Sequence, residues 1–219
     1  MNVQSTTYAS QWIQLLTGLT GLHAMNIDLP AEHAILGDVL KMETFVQFVE
    51  FAFYGYFLSG ASVETMATTR YYDWMLTTPT MLFSTMAYLK YQDNVAAGKT
   101  TDLAGFVKEH TRELIIVVVS NMLMLLCGYL GETGRVSLWT SQIAGFLFFA
   151  LTFKIIHEFA APTAIGRTLF KFMVSVWGCY GLAAMLPDVE KNIAYNGLDI
   201  IAKNFFGVYL YLEILRKAT

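Results

Sequence analysis

The chain has 219 residues, of which 55% are hydrophobic, 15% aromatic and only 14% charged, with a formal net charge of -3. A soluble domain carries about 25% charged residues, so the composition argues against an ordinary water-soluble protein and for an integral membrane protein. The acidic balance offers nucleic acid no basic surface, and Cys127 and Cys179, both inside apolar stretches, suggest no disulfide framework.

No basic flank followed by a short apolar core opens the chain, so no cleavable signal is expected. No repeat, low-complexity tract or linker divides it, and residues 1-219 read as one domain. A helix needs about 20 apolar residues to cross the hydrocarbon layer. Seven stretches qualify, at 5-25, 42-60, 68-90, 112-130, 136-159, 165-186 and 193-215. The expected fold is all-α, a seven-transmembrane-helix bundle. The first span is the weakest, because Gln11, Gln14 and several threonines interrupt it. The connection 26-41, "NIDLPAEHAILGDVLK", mixes apolar and acidic residues after an Asp-Leu-Pro helix start; it is either a short amphipathic helix at the interface or an ordinary loop. Lys41, Lys90, Lys99, Lys108, Arg112, Lys154, Arg167, Lys171, Arg216 and Lys217 fall on one side of the seven spans, against Arg135 and Lys191 on the other. The positive-inside rule then puts the N-terminus outside and the C-terminus in the cytoplasm.

Lys203 lies deep in the seventh span, "LDIIAKNFFGVYLYL", too far from either end to snorkel. It is either a buried ammonium paired with Asp199, one turn earlier, or an amine that forms a Schiff base with an aldehyde. The third span bears on that choice. "RYYDWMLTTPT" sets Arg70, Asp73, Thr77 and Thr80 near one stripe of a helix, beside Trp74 and Pro79. A protonated Schiff base needs negative charge nearby, and Asp73 and Asp199 can supply it, with Arg70 balancing the two and Thr77 bonding Asp73. A salt-bridged helix pair with no ligand leaves the surrounding aromatics without a reason.

"RYYDWMLTTP" together with "DIIAK" resembles the microbial (type 1) rhodopsins, along all seven spans. The resemblance implies all-trans retinal as a protonated Schiff base on Lys203. Asp73 and Asp199 match the two counter-ions, Asp73 being the proton acceptor, and Arg70 matches the gating arginine. The third-helix signature reads Asp73, Thr77, Ser84. The implied retinal pocket comprises Trp74, Thr78, Met81, Met124, Gly128, Trp177 and Tyr180, with Trp139 as the aromatic wall of the fifth helix. Tyr54 matches the tyrosine bonded to the second counter-ion. Gly181 and Ala184 stand where the family carries a proline and a second aromatic, Asn121 stands where some pumps carry Asp, and an apolar residue at Met81 implies green rather than blue absorption.

Two features bear on what such a protein does, since fold alone does not fix function. Ser84 occupies the place where outward pumps put a carboxylic acid, and serine donates no proton near neutral pH. Reprotonation would then come through water or through another acid such as Glu43, unless Glu43 is a solvated rim residue. Glu43 and Glu50 lie two helical turns apart on one face. Glu50, with Asn204 directly after the lysine and Ser10 on the first helix, resembles the central gate of channelrhodopsins; the alternative for Glu50 is a protonated glutamic acid with a packing role. The combination resembles the first group of giant-virus rhodopsins, which implies the membrane of an infected host cell. Transport rather than enzymatic activity is expected: a light-gated cation channel, or else an outward proton pump. A sensory photoreceptor is a third reading, although the chain ends at Thr219 with no fused effector expected. A non-retinal protein with a Lys203-Asp199 pair is a fourth. The implied partners are membrane lipid, cations or protons, and a homo-oligomer, since family members form dimers, trimers or pentamers. No metal site is expected.

Overall fold

The computed structural model describes residues 2-218. Helix α1 spans Val3–Ala24, and the Asn2 side chain caps it by accepting from the Ser5 amide at 2.7 Å. A single 3-10 turn, Ala31–His33, leads into α2, Ala34–Leu58. Gly60, at φ +121°, turns the chain into α3, Val63–Ala96, which carries Pro79 within it. A short helix α4, Leu103–Glu109, capped by Asp102, precedes α5, Thr111–Glu132. Ser137 caps α6, Leu138–Ala160, and Thr163 caps α7, Ala164–Ala183. The last span begins as α8, Asp188–Asp199, opens into a π-turn at Ile200–Asn204 and continues as α9, Phe205–Ala218.

The helices close into a ring. α1 packs on α2, α2 on α3, α3 on α5, α5 on α6, α6 on α7, α7 on α8, and α8 with α9 returns to α1. α3 also touches α6, α7 and α8 across the middle. α4 is an extra element that the sequence reading did not foresee, packed on α3 and α5.

The connection 26-41 is neither a separate interfacial helix nor a loop. Its second half forms the opening turns of α2. Ile35, Leu36, Val39 and Leu40 form a buried stripe of helical spacing, while Asp38 and Lys41 pair at 2.9 Å outside it. The amphipathic pattern belongs to a long helix docking on its neighbours, and Glu43 therefore lies well inside α2 rather than near its start.

The exterior of the bundle is apolar, and the interior mixes an apolar core with buried polar side chains. Thr6, Thr7, Ser10, Gln14 and Thr17 are the buried face of α1, whereas Tyr8, Trp12, Leu16, Leu19 and Leu22 are exposed. Two helices, α5 and α6, are long and apolar enough to cross a membrane by length and composition alone, with mean hydropathies of 2.2 and 1.6. α1, α2 and α3 dilute their hydropathy with inward-facing polar residues, which is why the first span looked weakest in the sequence.

Candidate functional site

Lys203, Glu50, Asp73 and Asp199 meet at the centre of the ring, with Arg70 beside them. Lys203 Nζ stands 3.3 Å from Asp73 Oδ2 and 3.3 Å from Asp199 Oδ1, and Glu50 Oε1 is in direct contact with it. All four of these residues are buried. α3, α2 and the seventh span each bring one carboxyl, so the cluster exists only when the ring closes. The π-turn holds the lysine itself. π-turns are rare and gather at functional sites, and here the Lys203 main-chain carbonyl accepts from Gln47 Nε2 at 2.8 Å.

Asp199 is fully engaged. Its Oδ2 accepts from Tyr54 Oη at 2.6 Å and from Arg70 Nη1 at 2.9 Å, and its Oδ1 accepts from Tyr180 Oη at 2.7 Å. Arg70 is pinned further by a short bond to Asn196 Oδ1, by Asn192 Oδ1 at 3.5 Å and by the Tyr54 hydroxyl at 3.1 Å. The Phe57 and Tyr54 rings lie 4.9 and 5.3 Å from its guanidinium carbon. Arg70 forms its salt bridge with Asp199, and its charge also acts on Asp73, so it balances both carboxylates from one side. Asp73 is less held: its Oδ1 has no hydrogen-bond partner among the described residues. The Thr77 hydroxyl donates to the Asp73 main-chain carbonyl at 3.1 Å. Thr80 turns away from the cluster and bonds the Leu76 carbonyl.

From Lys203 a cavity runs toward α5 and α6. Trp74, Thr78, Met81, Met124, Gly128, Trp177 and Tyr180, all foreseen, line it. A Cβ on Gly128 would meet the Tyr71 hydroxyl at 2.6 Å, so the close approach of that ring requires glycine. Gly181 is likewise explained, since a Cβ there would stand 2.5 Å from the Phe146 ring. Asn121 supports the wall from behind, donating to Thr78 Oγ1 at 2.8 Å. Trp139 does not belong to this wall. It sits on the second residue of α6, is 66% exposed, and faces out of the bundle. Ser141, Gln142, Gly145, Phe146 and Phe149 line the cavity from α6 instead, because the helical phase set by packing on α5 turns them inward. A long, mostly apolar slot with aromatic walls and a buried amine at one end fits a polyene aldehyde of the retinal type.

On the other side of the lysine the interior stays polar. Ser84 Oγ and a Glu43 carboxylate oxygen form a short hydrogen bond, and both residues are fully buried. Glu43 is therefore no solvated rim residue. Beyond this pair, Tyr88 and Tyr209 join their hydroxyls at 2.6 Å, with Gln92 donating to Tyr88. Glu50 contacts Lys203, and Asn204 follows the lysine in the π-turn with both side-chain amide atoms unpartnered among the described residues, but Ser10 does not join them. Its hydroxyl donates to the Asn196 carbonyl at 3.3 Å, level with the residues that hold Arg70. Ser10 lies too near the N-terminal end of α1, because α1 runs parallel to the seventh span and pairs with it about two turns earlier than Lys203.

Asn192, Asn196, Gln14 and Gln47 were missed by the sequence reading. The asparagines carried a signal: "NIAYNGLD" spaces Asn192, Asn196 and Asp199 by four and three, a single helical face leading to Lys203. The glutamines carried none beyond their presence in apolar spans.

Comparison with known proteins gives a consistent picture. Residues 4–216 match the family model described as bacteriorhodopsin-like protein. A green-light absorbing proteorhodopsin of Gamma-proteobacterium EBAC31A08 is 24% identical over 192 residues, 77% of this chain and 71% of that relative. Opsin-1 of Neurospora crassa is 26% identical over 164 residues, 66% of this chain and 48% of its own. The crystal structure of the viral rhodopsin OLPVRII superposes with a TM-score of 0.84 at 24% identity, covering 98% of each chain. A light-driven proton pump from Leptosphaeria maculans gives 0.71 at 16% identity, over 98% of this chain and 96% of that one.

Proposed function

The chain belongs to the bacteriorhodopsin-like family, and we propose that within it this protein is a light-gated cation channel with Lys203 as the attachment point. The family is one of integral membrane proteins, and its cofactor, retinal joined to a lysine as a Schiff base, is the cofactor of this protein. When bound, that group supplies visible-light absorption and a change of shape at the lysine. Every other part of the cycle falls to the chain's own residues.

Asp73 and Asp199 hold the proton at Lys203 Nζ as counter-ions. Asp199 is committed through both oxygens to Tyr54, Tyr180 and Arg70, so it stays an anion. Asp73 keeps one oxygen uncommitted among the described residues and stands 3.3 Å from Nζ, which makes it the proton acceptor. Arg70 and its two asparagines separate this pair from the N-terminal end, which the Lys/Arg asymmetry assigns to the outside.

The observation that carries the channel reading is the contact of Glu50 with Lys203, whose next residue in the chain is Asn204. A carboxyl in that place senses every change at the lysine, and a move of its side chain opens a polar seam that is otherwise closed. One observation favours a second reading, an outward proton pump. The buried Glu43–Ser84 pair offers a carboxyl proton on the side from which a pump must refill the lysine.

Whole-cell patch clamp under green light, with retinal supplied and external sodium exchanged for protons, separates the two. The channel reading expects a photocurrent that reverses near the cation equilibrium potential. A small outward current that never reverses overturns it in favour of the pump.

A further inference from the structure

Between Lys203 and the Glu43–Ser84 pair lie three buried side-chain amides, Gln14 on α1, Gln47 on α2 and Asn204 in the π-turn. Both amide atoms of Gln14, both of Asn204 and the oxygen of Gln47 have no hydrogen-bond partner among the described residues. Leaving a buried polar atom unpaired costs about 1–3 kcal/mol, so native interiors rarely tolerate several together without water or an ion among them.

The register of the helices sets Gln14 and Asn204 opposite each other. Asn196 Nδ2 donates to Thr6 Oγ1 across 190 positions of sequence at 2.7 Å. A Cβ on Gly207 would meet Thr17 Cγ2 at 3.3 Å, the same offset one end further along. Carried to the residues between, that offset sets Gln14 against Asn204. Gln47 forms the next tier: the Gly18 Cβ position lies 3.5 Å from its Cβ, and the Gly207 Cβ position lies 3.6 Å from its Nε2.

The orientation of Gln47 is chemically fixed. Its partner is the Lys203 main-chain carbonyl, a pure acceptor, so the nitrogen must be the atom that faces it. The oxygen therefore points into the seam as an acceptor. Glu50, one tier back, is held against Lys203 and stays outside this cluster. An acceptor-weighted, uncharged cluster suits a partly dehydrated monovalent cation: amide oxygens replace hydration water, and no fixed charge holds the ion too tightly to leave.

We propose that Gln14, Gln47 and Asn204 form a cation-coordinating constriction of neutral amides on the intracellular side of Lys203, with Gln14 rather than Ser10 as the first-helix member. This inference rests on the channel reading above.

The test is voltage-clamp photocurrent under bi-ionic sodium and potassium, in wild type, Gln14→Leu and Gln47→Leu, with the visible absorption band as the control for folding and cofactor binding. Where a leucine variant loses the band, Gln14→Met or Gln47→Met, unbranched and closer in shape, takes its place. Loss of one amide ligand, worth about 1 kcal/mol, is expected to lower the stationary current roughly fivefold and to shift the reversal potential. A wild-type current that reverses, with variants that keep both its size and its reversal potential, overturns the amide constriction and leaves the channel reading standing. A wild-type current that never reverses overturns the channel reading and this inference with it.

Discussion

Lys203 is the single residue on which the chemistry turns. Lys203→Ala is expected to yield a folded but colourless protein; a visible band in a preparation supplied with retinal would refute the assignment of the anchor. The two aspartates should respond differently. Asp73→Asn removes a loosely held counter-ion and is expected to shift absorption to the red with little loss of stability. Asp199→Asn leaves Arg70 buried without its anion, the kind of change that costs about 3–5 kcal/mol, and should lower the temperature of thermal bleaching far more. Equal bleaching temperatures in the two variants would contradict the division of labour drawn from their hydrogen bonds. Glu43→Gln, measured by flash photolysis, is expected to slow recovery of the dark state, since the amide cannot give up a proton through Ser84. The charged centre was legible in the sequence because each member stands in a short local pattern: "RYYDW" and "DIIAK" fix spacing within one helix. Ser10 and Trp139 misled because their roles depend on the rotation and depth of a helix against its neighbours. A polar helix such as α1 and an apolar one such as α6 both leave that phase unmarked in their own residues.

Among the helices, the last is the one whose departure from regularity matters most. The π-turn at Ile200–Asn204 is invisible in the sequence, where "IIAKN" reads as ordinary helix. Deleting Ile201, a half-exposed residue within it, should restore an α-helical turn and move Lys203, which lies inside the widened turn, relative to Asn192, Asn196 and Asp199. The expected result is loss of the visible band, checked by absorption after reconstitution; retention of the band would mean that the widened turn is incidental. On α7, Gly181→Ala drives a methyl into the Phe146 ring, and overpacking of this kind costs about 1–3 kcal/mol. A lowered bleaching temperature tests it. The bounds of the spans were legible to within a few residues for α1, α5, α6 and α7, whereas α3 and the last span run further than expected and α2 begins earlier still. There the buried stripe Ile35, Leu36, Val39 and Leu40 resembled a separate amphipathic piece, because acidic residues interrupt it before the long apolar run begins.

Taken together, the helices form a ring whose apolar outer faces enclose an interior of both apolar and polar side chains. Lipid tails are as apolar as leucine, so burying hydrocarbon gives the helices little reason to associate, and packing and internal hydrogen bonds must hold them. Trp139→Leu, on the outer face, should accordingly leave thermal bleaching unchanged within about 0.5 kcal/mol, whereas the changes at Asp199 and Gly181 should not. The Gln47 bond to the Lys203 carbonyl has a mechanical meaning in such a bundle. The side chain of Lys203 is the part that carries the cofactor, but the bond grips its backbone. A push on the lysine is thus felt as a pull on α2, at a point one turn from Glu50 and another from Glu43. One glutamine works as a connecting rod, passing the stroke of one helix to the helix that carries both glutamates.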